Sequence, residues 1–342
     1  MPVNTSRTTY REHTDTENIL KLRQVLSTLP AFCKDYFRAI DSTTTTKTRI
    51  SYAYDIRIFF QFLLDENPAF KNYAMTDFSV AVLDQIKAVD LEEYMEYLKV
   101  YQNGDKTETN GERGLKRKIS ALRSFYAYYY KREMIHTNPT VLIDVPKIHD
   151  KSIIRLDTDE VALLLDYIEH CGDSLTGQKR VYYEKTKERD LAIVTLLLGT
   201  GIRVSECVGL DIEDVDFKNN GIKVTRKGGN EMVVYFGEEV EKALKRYLEI
   251  REGITPLAGH EHALFYSAQR KRMGVQAVEN MVKKYSRQIT TTKKITPHKL
   301  RSTYGTALYQ ETGDIYLVAD VLGHKDVNTT KKHYAALDDA RR

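Results

Sequence analysis

His298, Arg301, His324 and Tyr334 follow one another in a segment that reads TPHKLR, then LGH, then a tyrosine, and Arg203 lies far upstream. Guanidinium, imidazole and phenol groups in this order suit a phosphoryl-transfer site built around a tyrosine nucleophile. Phosphodiester cleavage spreads negative charge over the oxygens around phosphorus, so such a site needs several fixed cationic donors. Arginine serves best, because its planar fork binds two oxygens at once and stays charged. Arg203 and Arg301 fill those places. His298 precedes Arg301 by three residues, so on a helix the two share a side, and with His324 it can donate hydrogen bonds or move protons. A tyrosine phenol, with an ordinary pKa of about 10, is a weak nucleophile until cations or a base favour its anion. The departing 5′-oxygen needs a proton, and Lys227, at the turn between GIKVTR and EMVVYF, is placed to deliver one.

These residues have to be positioned by a framework, and the patterning describes one. Residues 46–65 put Ile50, Tyr54, Ile58 and Phe62 on one helical face. Residues 90–101 and 114–131 carry similar patterns, and no convincing strand precedes residue 150, so the first part reads as a small all-helical domain. Asn138-Pro139 and Val145-Pro146 break the helical pattern. Asp157 with Glu160 three residues later predicts a capped helix start, and residues 188–198 predict an apolar helix ending at Gly199-Thr200-Gly201. GIKVTR, KGGN and EMVVYF read as strand, turn, strand, after which the chain returns to helix. The expected architecture is mainly α with a small antiparallel β-sheet. Its divisions are an N-terminal extension over 1–27, a helical domain over 28–140, a linker over 141–155 and a catalytic domain over 156–342.

A chain of 342 residues has room for two ordinary domains. With 42% hydrophobic and 29% charged residues it has the composition of a globular protein, and no run is long enough to span a bilayer. The first residues lack the basic-then-apolar pattern of a secretory signal, and Cys33, Cys171 and Cys207 lie far apart without metal-type spacing. A cytoplasmic, metal-free protein without membrane association is expected. A net charge of +4 says little, but its distribution says more. Residues 113–132 hold seven Lys or Arg and no acid, with Tyr126, Tyr128, Tyr129 and Tyr130 interleaved; residues 270–301 hold ten, with Glu279 the only acid. Two such stretches in a nearly neutral chain point to faces that meet phosphate. Arg49, Lys118 and Arg123 are the candidate DNA contacts of the first domain.

GTGIRVSECVGLDIEDVDF, KGGNEMVVYF and TPHKLRSTYGTALYQETGDIYLVADVLGHKDVNTTKKHY together resemble the tyrosine recombinase (phage integrase) family, in order and context. The helical first half more weakly resembles that family's core-binding domain, the DNA clamp. The resemblance implies that Tyr334 attacks the scissile phosphate to give a 3′-phosphotyrosyl link and a free 5′-hydroxyl. It implies that Arg203, Arg301 and His324 stabilise the transition state, that His298 takes part in proton transfer, that Lys227 is the general acid, and that Glu206 supports the site. No cofactor and no metal is implied, and the sequence lacks a G-x-x-x-x-G-K-[ST] phosphate loop. The implied partner is double-stranded DNA, held by a homotetramer on synapsed sites that exchanges strands through a Holliday junction, with or without an accessory directionality factor. Integration and excision of a mobile element and Xer-like resolution both fit. The alternatives are a type IB topoisomerase-like relaxase and a catalytically silent DNA-binding accessory factor.

Overall fold

The computed structural model describes residues 9–147, 153–226 and 229–323. The chain divides into two compact units, residues 1–150 and 151–342. The described residues are mainly helical, with small antiparallel sheets. None of their helices is long and apolar enough to cross a membrane.

The first unit contains α1 (Tyr10–Ser27), α2 (Cys33–Ala39), α3 (Thr46–Glu66), α4 (Val82–Gln85), α5 (Ala88–Tyr97), strands β1 (Val100–Asn103) and β2 (Lys106–Thr109), and α6 (Glu112–Lys131). α3 starts where Thr45 accepts a hydrogen bond from the Thr48 amide, and it buries Ile50, Ile56, Phe59, Phe60, Phe62 and Leu63. α6 buries Leu115, Ile119, Leu122, Phe125, Tyr126 and Tyr129 against it, at helical spacing. The tyrosines interleaved with the basic residues are therefore divided. Tyr126 and Tyr129 are core residues whose hydroxyls donate to the Leu83 and Phe32 carbonyls at 3.4 and 2.8 Å, whereas Tyr130 is exposed.

Two features of this unit differ from the expectation. Strands β1 and β2 form a hairpin, Val100 opposite Thr109 and Asn103 opposite Lys106, so the unit is not all-helical. Only Tyr101 of the eight strand residues is buried, which explains why no apolar alternation announced it. Gly104 supplies the positive φ of +62° that so tight a turn requires. In addition, the stretch expected as an N-terminal extension forms α1, which packs on α3 and places Leu22 and Val25 in the core.

The second unit contains α7 (Thr158–His170), α8 (Gly177–Thr200), α9 (Val204–Gly209), strands β3 (Val215–Asp216), β4 (Gly221–Thr225) and β5 (Glu231–Tyr235), then α10 (Glu238–Glu252), α11 (Val275–Ile289), α12 (Pro297–Thr312) and α13 (Ile315–Leu322). α7 begins with the expected capping box, the Asp157 amide donating to Glu160 at 2.8 Å. α8 is the central helix: every residue from Arg189 to Leu197 is buried, and α7, α10 and α12 pack around it. Its inward acid, Asp190, is bound by Arg189 and by the Tyr285 hydroxyl at 3.0 Å, so the charge is compensated. The sheet has the order β3-β4-β5, all antiparallel, with Ile222 opposite Val234.

Candidate active site

The functional residues of the second unit sit at the ends of its helices, and the local sequence explains why. α8 stops at Gly201, whose φ of +61° is the left-handed conformation that glycine adopts without strain. A Cβ at this position would lie 2.4 Å from the Tyr304 ring, so glycine is needed for space as well as for conformation. The chain then turns through the buried Ile202 into Arg203, the extended N-cap of α9. Glu206, one turn into α9, fixes this arginine twice. One carboxylate oxygen accepts the Arg203 amide and the other accepts Nη1, each at 2.8 Å. The Glu206 side chain is 3% exposed and that of Arg203 33%, so a buried anion orients a cation that still reaches solvent.

Arg301 lies in the second turn of α12, which opens on Thr296-Pro297, proline at its preferred first position. Arg301 is buried, and its guanidinium donates to the carbonyls of Gly201 and Leu322. It therefore joins the end of α8 to the end of α13. Arg203 also reaches α13, with Nη2 donating to the Gly323 carbonyl at 3.1 Å.

A third arginine, Arg226, arrives from the sheet. It follows β4, with its amide and carbonyl closing the hairpin turn on Asn230 and Gly229. Its Nη1 donates to the Leu322 carbonyl at 2.7 Å and its Nη2 to the Val321 carbonyl at 2.8 Å, while Nε faces the Met232 sulfur. Burial lowers the Arg226 pKa, and the nearby Glu206 carboxylate opposes that shift.

Three guanidiniums from three different elements thus converge on the consecutive carbonyls of Val321, Leu322 and Gly323. This is the C-terminal end of α13, where unpaired carbonyls and the helix dipole favour cations. α13 itself is set by Asp314, which accepts from the Tyr316 and Leu317 amides at 2.8 and 3.1 Å, and by Val318 and Leu322 packed with Tyr309. Gly323 ends it at φ +59°, and a Cβ there would stand 2.3 Å from Arg226 Nη1. The cluster sets three cations beside the Glu206 carboxylate, with Asp320 also acting on Arg226, and because carbonyls carry no net charge it retains an excess of positive potential. That is the electrostatic requirement for holding a phosphate whose charge grows during reaction.

His298 stands exposed in the first turn of α12, three residues before Arg301, with its carbonyl accepting from Ser302 Oγ at 3.1 Å. Lys227, His324 and Tyr334 lie outside the described residues. Among the described residues, Arg203, Glu206 and Arg301 come together, and Arg226 joins them. The buried alternation of β4 marks Arg226: Ile222, Val224 and Arg226 repeat at period two and all are buried.

The first unit gives each candidate DNA contact an internal role. Arg49 pairs with Asp41 and its side chain is 11% exposed. Lys118 is buried, its ammonium on Asn110 Oδ1 at 3.1 Å and beside Asp55 at 3.7 Å, and it presents no cation to an incoming phosphate. Arg123 ties α6 to the segment that follows, donating to the Thr140 and Ile143 carbonyls at 3.1 and 2.8 Å. The exposed cations of α6 are instead Arg113, Lys116, Arg117 and Lys131, of which Arg117 is also bound to Asp55.

The family model described as "Phage integrase family" matches residues 155–341. The tyrosine recombinase XerC of Caldanaerobacter subterraneus subsp. tengcongensis is 33% identical over 315 residues, spanning 90% of this chain and 82% of the relative. The tyrosine recombinase XerS of Lactococcus lactis subsp. cremoris is 30% identical over 340 residues, spanning 92% and 93%. In fold, the chain is similar to the XerH site-specific recombinase bound to a palindromic difH substrate in a post-cleavage complex. The TM-score is 0.66 at 20% identity, over 99% of this chain and 90% of that one. With its guanidinium cluster at a helix end and this matched extent, the chain belongs to the phage integrase family. Within that family it is a tyrosine site-specific recombinase, an enzyme of DNA recombination.

Proposed function

We propose that the protein cleaves and rejoins double-stranded DNA through a 3′-phosphotyrosyl intermediate, and that four protomers exchange strands through a Holliday junction. The observation that carries this reading is the convergence of Arg203 and Arg301 at the end of α13, one residue before His324. A scissile phosphate at this cluster meets fixed donors that need no reorganisation as charge develops. Tyr334 attacks phosphorus, and the P–O5′ bond breaks. Lys227 gives the departing oxygen its proton, while His298 and His324 supply the remaining hydrogen bonds and proton movement. The phosphotyrosyl bond preserves the energy of the broken phosphodiester, so rejoining needs no nucleotide cofactor. The helical first unit acts as the DNA clamp. Integration or excision of a mobile element and Xer-like resolution share this chemistry.

The test is strand exchange between two copies of the DNA flanking the gene, carried on one supercoiled plasmid. Excised circles together with a four-way junction intermediate support the reading. Relaxation without site preference favours the topoisomerase-like alternative, and salt-sensitive binding without any breakage favours an accessory factor.

A further inference from the structure

Arg226 is one residue from Lys227 and its guanidinium rests on the turn that leads directly into His324. We infer that Arg226 is a positioning residue: it clamps the β4–β5 hairpin onto the end of α13 and so fixes where the lysine of that hairpin meets the reacting phosphate. This deepens the proposed function and rests on it.

Four observations converge on the clamp. The Arg226 side chain is buried although it lies at the tip of a hairpin, a place where arginine is ordinarily solvated. It spends its fork on two successive carbonyls, Val321 and Leu322, a bidentate grip on one end of one helix. Residue 323 is a glycine, and any side chain there would occupy the space of Nη1 and the guanidinium carbon, 2.3 and 2.8 Å away. The arginine backbone closes the hairpin turn through Asn230 and Gly229, so the grip at one end is transmitted to the loop that carries Lys227. Arg301 shares the Leu322 carbonyl with Arg226 and Arg203 holds the neighbouring Gly323 carbonyl, but these two come from helix ends, whereas Arg226 comes from the sheet.

The consequence is chemical. In cleavage the phenol oxygen of Tyr334 bonds to phosphorus and releases its own proton to a base, the P–O5′ bond breaks, and the 5′-oxygen takes a proton from the Lys227 ammonium. A hairpin displaced by about an ångström would lose that last transfer first, a loss on the order of a hundredfold. A substrate whose bridging 5′-oxygen is replaced by sulfur leaves as a thiolate and requires no proton, so it separates loss of acid delivery from any other defect.

The experiment measures single-turnover cleavage of paired oxygen and 5′-sulfur duplexes by wild type, Arg226→Met and Arg226→Lys, with Tyr334→Phe as control and duplex binding measured for each. The expected result is that Arg226→Met binds as wild type does, cleaves the oxygen substrate about a hundredfold more slowly and cleaves the sulfur substrate within about threefold of wild type. Arg226→Lys, which keeps the charge but lacks the fork, recovers part of the oxygen rate. Equal slowing on both substrates overturns the inference, because it places Arg226 at the phosphate or in the fold; equal rates to wild type overturn it as well. If Arg226→Met does not fold, the same contrast is read on Arg226→Lys. Failure of wild type on both substrates defeats the tyrosine-cleavage reading itself and the inference with it.

Discussion

Each unit gathers a cluster of cations around buried groups, and the two clusters are held in different ways. In the first unit Asp55, 3% exposed, binds Arg117 and Lys118 across α3 and α6, and Lys118 also donates to Asn110. In the second, Arg203, Arg226 and Arg301 are held largely by backbone carbonyls at a helix end, with Glu206 the bonded carboxylate. A carboxylate neutralises the cation that it binds, whereas a carbonyl orients the cation and leaves its charge in force. The first arrangement ties two helices together. The second preserves a positive field at a point the solvent can reach through Arg203. A buried cation on its own is therefore no sign of function; the chemistry of its partners makes the distinction.

The comparison breaks most visibly at Asp55. Asp55→Ala should leave the Lys118 ammonium buried beside a lost partner and destabilise the first unit by about 3–5 kcal/mol, read by denaturant unfolding. At a temperature where the variant stays folded, its single-turnover cleavage rate should remain that of wild type. Arg203→Ala should do the opposite. Cleavage should fall by on the order of a hundredfold, about 3 kcal/mol of transition-state stabilisation, with a smaller loss of unfolding stability than in Asp55→Ala, because the buried Glu206 carboxylate keeps the backbone amide of residue 203.

Glu206→Gln sharpens the contrast, since it keeps an acceptor for the Arg203 amide and removes the charge that orients the guanidinium. A loss of about 1.5 kcal/mol, roughly tenfold in cleavage, is expected, because that is the lower range for a hydrogen bond to a charged group. The smallest effect concerns pH. The hydrogen bond from Lys293 holds the Asp157 carboxyl below its ordinary value of 3.8. A depressed carboxyl contributes stability that is present above its unfolded pKa and is lost as pH falls through the folded one. The stability difference between wild type and Asp157→Asn should be on the order of 0.5 kcal/mol at pH 6, begin to shrink as pH falls to 3.8 and disappear only below the lower folded value, as followed by thermal unfolding across that range.

What was legible in the sequence was local. The Asp157 and Glu160 cap, the stop at Gly201 and the β4–β5 hairpin each follow from residues a few positions apart, and each is present. The gathering of Arg203, Glu206 and Arg301 was legible through family resemblance and long-range order. The hairpin at 100–109 was not, because VYQNGDKTET offers no alternating apolar face. The partners of Lys118 were not, because Asp55 lies 63 residues away, a separation that no local pattern spans. Tyr126 and Tyr129 resembled an aromatic DNA face by spacing and instead fill the core. The place of Arg226 in the cluster was not legible either, because its partners Val321 and Leu322 lie far along the chain, although its phase on β4 points inward.

The most direct measurement is covalent trapping on nicked duplexes drawn from the DNA flanking the gene, followed by peptide mapping of the adduct. The account predicts a denaturation-resistant adduct whose 3′-phosphate is attached to Tyr334 and which is absent from Tyr334→Phe. An adduct that persists in that variant, or one mapped to another residue, would contradict it.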